Sequence, residues 1–142
     1  MTCIAYNDGY KYQLKETYVL TIEIQPDQAI FTDYIDLDRQ GNLTIRKGYA
    51  WDGPSGPTFD TLDFMRGSLV HDALYQLMRD TKLDHNRHRE AADRTLQKIC
   101  KEDGMSALRA WWVYLGVHQF GDPSADPARK RPVIHAPKGC HP

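Results

Sequence analysis

The feature that most limits what this chain can fold into is a change of hydrophobic period part-way along it. From Tyr10 to about Lys47 the pattern has period two: Tyr18, Leu20, Ile22 and Ile24 alternate with Val19, Thr21 and Glu23. That spacing lines one face of a strand. Further β-rich runs cover Ala29 to Leu37 and Leu43 to Lys47, separated by the turn-formers Pro26-Asp27 and Arg39-Gln40-Gly41-Asn42. An antiparallel meander is expected. Residues 48–60 are rich in glycine and proline, and beyond them the period becomes helical. The spacing predicts helices from about Thr61 to Asp80, from near Asn86 to just before Gly104, and from about Met105 to Phe120. The third is expected to bury Leu108, Trp112 and Leu115. The expected fold class is therefore α+β, an N-terminal antiparallel sheet packed on a C-terminal three-helix bundle.

Domain organisation follows from length and from the last stretch. A chain of 142 residues suits one domain with a real core, here assigned to residues 1–121. Residues 122–142 hold five of the eight prolines and the cluster Arg129-Lys130-Arg131, with a local charge of +2 in a chain of −1. That segment is expected to be extended: either a disordered end or an arm that orders on a partner. The overall balance of 18 basic and 19 acidic residues gives no field that argues for nucleic acid. No run approaches about 20 apolar residues, and the N-terminal stretch lacks the apolar core of a secretion signal, so the cytoplasm is the default location. Cys3, Cys100 and Cys140 are odd in number and widely spaced, and they are expected to be free thiols.

The chemistry concentrates in Leu69-Val70-His71-Asp72-Ala73-Leu74-Tyr75. At about 100° per residue His71 and Tyr75 lie one above the other, with Asp72 on their flank and apolar neighbours beside them. Burying such groups is costly unless they are paired or bind an ion. The second helix offers Asp93 as the partner carboxylate. Imidazole is the usual general base near neutral pH, and a carboxylate on its far nitrogen fixes the tautomer. His71, Asp93 and Tyr75 are the candidate catalytic set. Upstream, Gly53 and Gly56 allow unusual backbone conformations, so the loop can turn carbonyl oxygens inward beside the Asp52 carboxylate. Asp72, Asp52 and the loop carbonyls near Trp51 and Gly53 are the candidate ligands for calcium, which takes six to eight oxygens. The competing reading makes the loop a crossover with Trp51 plugging the core. It pairs Arg66 and Arg89 with Asp72 and Asp93 as an ionic staple. No histidine precedes His71, which excludes the usual His-Asp phosphohydrolase pattern. His85 and His88 have H-x-x-H spacing at a polar helix start, where solvation is expected. No H-E-x-x-H, G-x-S-x-G or phosphate-binding loop is present.

Two resemblances attach to these residues. The segments Gly48-Tyr49-Ala50-Trp51-Asp52-Gly53-Pro54-Ser55, Arg66 to Tyr75, and Arg89 with Ala92-Asp93 resemble a family of small phage and prophage proteins, catalogued as domain of unknown function 1353. The likeness spans about residues 10 to 121. It implies a phage origin and supplies no function. For a chain of that origin the expected partners are other phage proteins, with residues 122–142 as the contact arm their composition suggests, and synthesis in the host cytoplasm and incorporation in the virion are expected. Locally, His71-Asp72-x-x-Tyr75 with an Asp-Gly loop before it and a helical Asp after it is similar to the secreted phospholipase A2 site. By that likeness His71 would activate water, Asp93 would orient it, and Asp72 with the Asp52 loop would hold calcium. The implied target is a host envelope component. The cysteines that bracket the phospholipase motifs are missing here, and a sheet of about 40 residues precedes the site. The alternative is a non-enzymatic virion protein whose His-Asp-Tyr cluster is a buried structural network.

Overall fold

A computed structural model describes residues 3–6, 11–53, 61–120 and 133–140. The elements in chain order are β1 (Ile4–Tyr6), β2 (Tyr12–Gln13), β3 (Tyr18–Thr21), β4 (Ile30–Phe31), β5 (Ile35–Leu37), β6 (Asn42–Ile45) and β7 (Ala50–Trp51). The helices α1 (Leu62–Arg79), α2 (His85–Glu102) and α3 (Ala107–Phe120) follow, and then β8 (Ile134–Ala136). The class is α+β, an N-terminal antiparallel sheet region followed by three helices, as the change of period predicts.

The main sheet has the order β3-β6-β5-β4, all antiparallel. Alternation does what the sequence demands of it. Ile22, Ile24, Ile35, Leu37, Leu43 and Ile45 turn inward and are buried, while Val19, Thr21 and Glu23 face out. The turn into β6 is fixed by Asp38, whose Oδ1 accepts from the amides of Gln40 and Asn42, both at 2.9 Å. Gly41 sits there at φ 87°, and a Cβ on it would stand 2.3 Å from the Ile22 carbonyl oxygen. A separate β2–β7 pair brings Trp51 opposite Tyr12 and delivers the chain to α1.

The helices begin and end where local chemistry allows. Asp84 caps α2, its side chain accepting from the Asn86 amide at 3.0 Å, and Gly104 lies just beyond its end at φ 101°. Leu69, Val70, Ala73, Leu74 and Leu77 of α1 pack on the sheet in one core cluster. Phe64, Leu96, Cys100, Ala110 and Val113 form a second cluster among the three helices. At Gly67 a Cβ would meet Leu96 and Cys100 at 2.8 and 2.9 Å, so the missing side chain lets α2 lie close against α1. Among the described residues no helix is long and apolar enough to cross a membrane.

Two expectations are corrected. Helix α3 does not bury Leu108 and Trp112, which are 67% and 63% exposed. It packs through Ala110 and Val113 instead, and Leu115 is half-buried. Its sequence is apolar all round, so periodicity gave no means of choosing a face. Cys3 and Cys140 are not free thiols but a disulfide. Only Cys100 stays free, buried, with burial pushing its thiol up to about 12. The described part of the C-terminal segment is extended, and β8 pairs antiparallel with β1, a partner within the chain.

Gly41→Ala should lower unfolding stability by about 2 kcal/mol, because backbone atoms and a positive φ oppose the methyl group together. Urea titration followed by circular dichroism measures it.

Candidate active site

The site is built where α1 meets α2. The short connection between these helices makes them antiparallel neighbours, which sets Asp93 against the His71–Tyr75 turn. His71 Nε2 lies 2.7 Å from Asp93 Oδ1, and the Tyr75 hydroxyl donates to the same oxygen at 2.6 Å. The two rings lie tilted against each other along one helical turn, their centroids 4.0 Å apart. His71, Tyr75 and Asp93 are 7%, 2% and 0% exposed. A carboxylate accepting from both rings fixes the imidazole proton on Nε2 and leaves the lone pair on Nδ1. Burial and the bond to Asp93 both push the Tyr75 hydroxyl well above the usual phenol range. It stays a donor.

The other carboxylate oxygen is served differently. Asp93 Oδ2 makes no hydrogen bond among the described residues. Arg89 Nη1 lies 3.8 Å away and His118 Nδ1 3.7 Å away. The same Arg89 nitrogen donates to the His118 carbonyl at 2.8 Å, which ties the C-terminal part of α3 to the cluster. His118 was not singled out from sequence. It comes from a third helix, 25 residues beyond Asp93, and no short-range spacing marks it.

Arg66 takes a different partner from the one expected. It does not pair with Asp72. Its guanidinium grips Asp103 at 2.8 Å and Glu102 at 3.1 Å, and donates to the Tyr18 hydroxyl at 2.9 Å. Six residues separate Arg66 from Asp72, which is about 240° around the helix and puts them on different faces. Arg89 does approach Asp93, as the staple reading expects, though at the longer distance above.

On the metal side, Asp72 is drawn up to about 6, chiefly by burial, with His71 and Arg79 pulling it back. No hydrogen bond from another described residue reaches its carboxylate. The Trp51 carbonyl accepts the Lys11 amide at 3.2 Å within the β2–β7 ladder. The Trp51 indole packs in the core beside Tyr12 and Tyr49 and donates to Ser68 Oγ at 3.1 Å. Gly53 holds φ 79°, with the Tyr12 ring 2.5 Å from where a Cβ would stand. Asp52 precedes it, half-buried. The rest of the loop, residues 54–60, lies outside the described residues. Among those described, no group of three or more His, Cys, Asp or Glu side chains is gathered to hold a metal. What fits a hard cation is the chemistry of Asp72 itself, a half-buried carboxylate that no described side chain hydrogen-bonds. His85 and His88 open α2, both half-buried, away from this cluster.

Comparison with known proteins places this arrangement in a family. A family model described as "Protein of unknown function (DUF1353)" matches residues 29–117, more than half of the chain and all of the cluster but His118. The chain belongs to that family. No curated protein and no solved structure matches it. Family membership thus covers the sheet from β4 onward and nearly all of the helical part, including His71, Asp72, Tyr75, Arg89 and Asp93.

Removing the shared acceptor should be expensive. Asp93→Ala leaves two buried donors unmet and should cost about 3–5 kcal/mol. Tyr75→Phe should cost about 1 kcal/mol, and Arg94→Ala, on the exposed face of α2, under about 0.5 kcal/mol. Chemical denaturation of the three variants checks the order. Asp72 adds a pH effect of defined sign. Its folded-state value lies above the ordinary 3.8, so its contribution is present in acid and is lost as pH rises from about 4 through about 6. In a chelating buffer Asp72→Asn should remove that loss, measured as melting temperature against pH.

Proposed function

We propose that this chain is a phage protein, an accessory or virion-associated hydrolase that acts on a component of the host envelope with calcium as its cofactor. The observation that carries the reading is the Asp93 Oδ1–His71 Nε2 contact of 2.7 Å, with Tyr75 bonded to the same oxygen. That geometry is what a general base requires. Asp93 holds the ring and stabilises the cation formed when Nδ1 takes a proton from water, and Tyr75 holds the carboxylate in place. His71 is then the base, and Asp93 and Tyr75 are positioning residues. Calcium, held by Asp72 with oxygens of the Asp52 loop, would supply positive charge for an oxyanion developing on the substrate. The Trp51 carbonyl already accepts the Lys11 amide and Gly53 adjoins the Tyr12 ring, so the Asp72 and Asp52 carboxylates would be the chief protein ligands and water would complete the shell. The protein is made in the host cytoplasm, joins the virion, and meets other phage proteins through residues 122–142.

One observation favours a second reading. The near-complete burial of Asp93, Tyr75 and His71 is also what a structural lock between helices requires. In that case the chain is a non-enzymatic virion component. The experiment sets purified protein against phospholipid vesicles with calcium or with chelator, reading fatty-acid release and melting temperature together. The hydrolase reading expects release only with calcium. It expects His71→Gln to abolish release while the circular dichroism spectrum is kept, and Asp72→Asn to lose the calcium-induced rise in melting temperature. Intact vesicles and no thermal response at millimolar calcium, with His71→Gln merely melting earlier, would leave the structural lock as the function of the cluster.

A further inference from the structure

The outer edge of β3 and the flank of α2 bound a groove of about 460 Å³, away from the His71 cluster. Leu20, Thr21 and Glu23 line one side, and Arg94, Lys98 and Lys101 the other. β3 is the end strand of its sheet, and among the described residues no strand pairs with its outer side. In an antiparallel pair, residues whose N–H and C=O face the neighbour alternate with residues whose groups face away. The Ile22 amide donates to the Gly41 carbonyl at 2.8 Å, and the register sets Leu20 opposite Leu43 and Tyr18 opposite Ile45. Tyr18, Leu20 and Ile22 therefore spend their backbone groups on β6. By alternation those of Val19 and Thr21 face outward, toward the groove. Natural edges are commonly blunted with lysine, proline or a bulge. This one carries no lysine or proline between Tyr18 and Ile24.

The facing wall is cationic. Arg94, Lys98 and Lys101 fall at i, i+4 and i+7, one face of α2. Arg94 is engaged by Glu90 at 2.9 Å, whereas no ion pair among the described residues holds Lys98 or Lys101. Glu102, at the end of the same wall, is drawn off by Arg66.

We propose that this groove binds an extended acidic segment of another protein, added to β3 as an outer strand. The main-chain groups of Val19 and Thr21 form the ladder, and Lys98 and Lys101 meet the segment's carboxylates. Backbone pairing supplies affinity in such strand addition, and the charges select the partner. The site is independent of the hydrolase reading and stands whether or not His71 is a base.

A labelled peptide of sequence Glu-Val-Glu-Thr-Glu-Val-Glu, titrated with the full chain and read by fluorescence anisotropy, tests it. The acidic peptide should bind, more weakly as salt is raised, and its counterpart with lysine for glutamate should not. Lys98→Glu combined with Lys101→Glu should weaken binding by roughly tenfold or more. Thr21→Pro should abolish binding while sparing the β3–β6 ladder, which does not use the Thr21 amide. Hydrogen exchange on the wild type provides a readout that needs no variant: the peptide should slow the amides of Val19 and Thr21. Equal binding of both peptides, or no protection of those amides, overturns the proposal. So does a dimer in sedimentation that the acidic peptide fails to displace, which would assign the edge to a second copy of the chain.

Discussion

A carboxylate with no solvent exposure, Asp93, sets the terms for the helical half of this protein. A buried carboxylate is tolerated only if donors surround it, and here the donors come from more than one direction. His71 and Tyr75 reach Oδ1 from α1, one turn apart, so that α1 has a single rotation that satisfies both. Arg89, on the same helix as Asp93, stands near Oδ2 and also holds the His118 carbonyl of α3. Apolar packing alone would let these helices slide or roll by fractions of a turn. The polar contacts do not, because a shift of one residue would carry both rings away from the acceptor.

Among the described residues, polar contacts fasten the strand region to this framework, two of them made by α1. The Trp51 indole bonds Ser68 Oγ on α1, just one turn before Asp72. Arg66 gathers Tyr18 of β3 with Asp103 at the end of α2. The strand edge that opens toward α2 and strand β7 are thus both referred to the helix that carries His71. Whatever the cluster does, its surroundings are set by side chains whose first role is to join layers.

Much of the fold was legible in the sequence for simple reasons. The switch from period two to a helical period locates the layers, and Gly104 and Asp84 mark helix ends through local chemistry. The approach of Asp93 to His71 was also legible, since a short link between two helices leaves few geometries. What was not legible depended on three-dimensional choices without a local signature. Leu108 and Trp112 were assigned inward because α3 is apolar on every side, and only packing against α2 selects Ala110 and Val113. The ionic-staple alternative offers Arg66 to Asp72, six residues on, whereas the helix turns it toward Tyr18 and Asp103. His118 approaches Asp93 only because α3 folds back, which no spacing encodes.

The bond between Cys3 and Cys140, whose Cα atoms stand 6.0 Å apart, makes one covalent ring of the residues between them. A ring this large restricts the unfolded chain more than the folded one, in the loop-entropy picture by about 5 kcal/mol. That contribution exists only where thiols oxidise. The same polypeptide would therefore carry two different resistances to unfolding, a lower one in reducing surroundings and a higher one in oxidising ones.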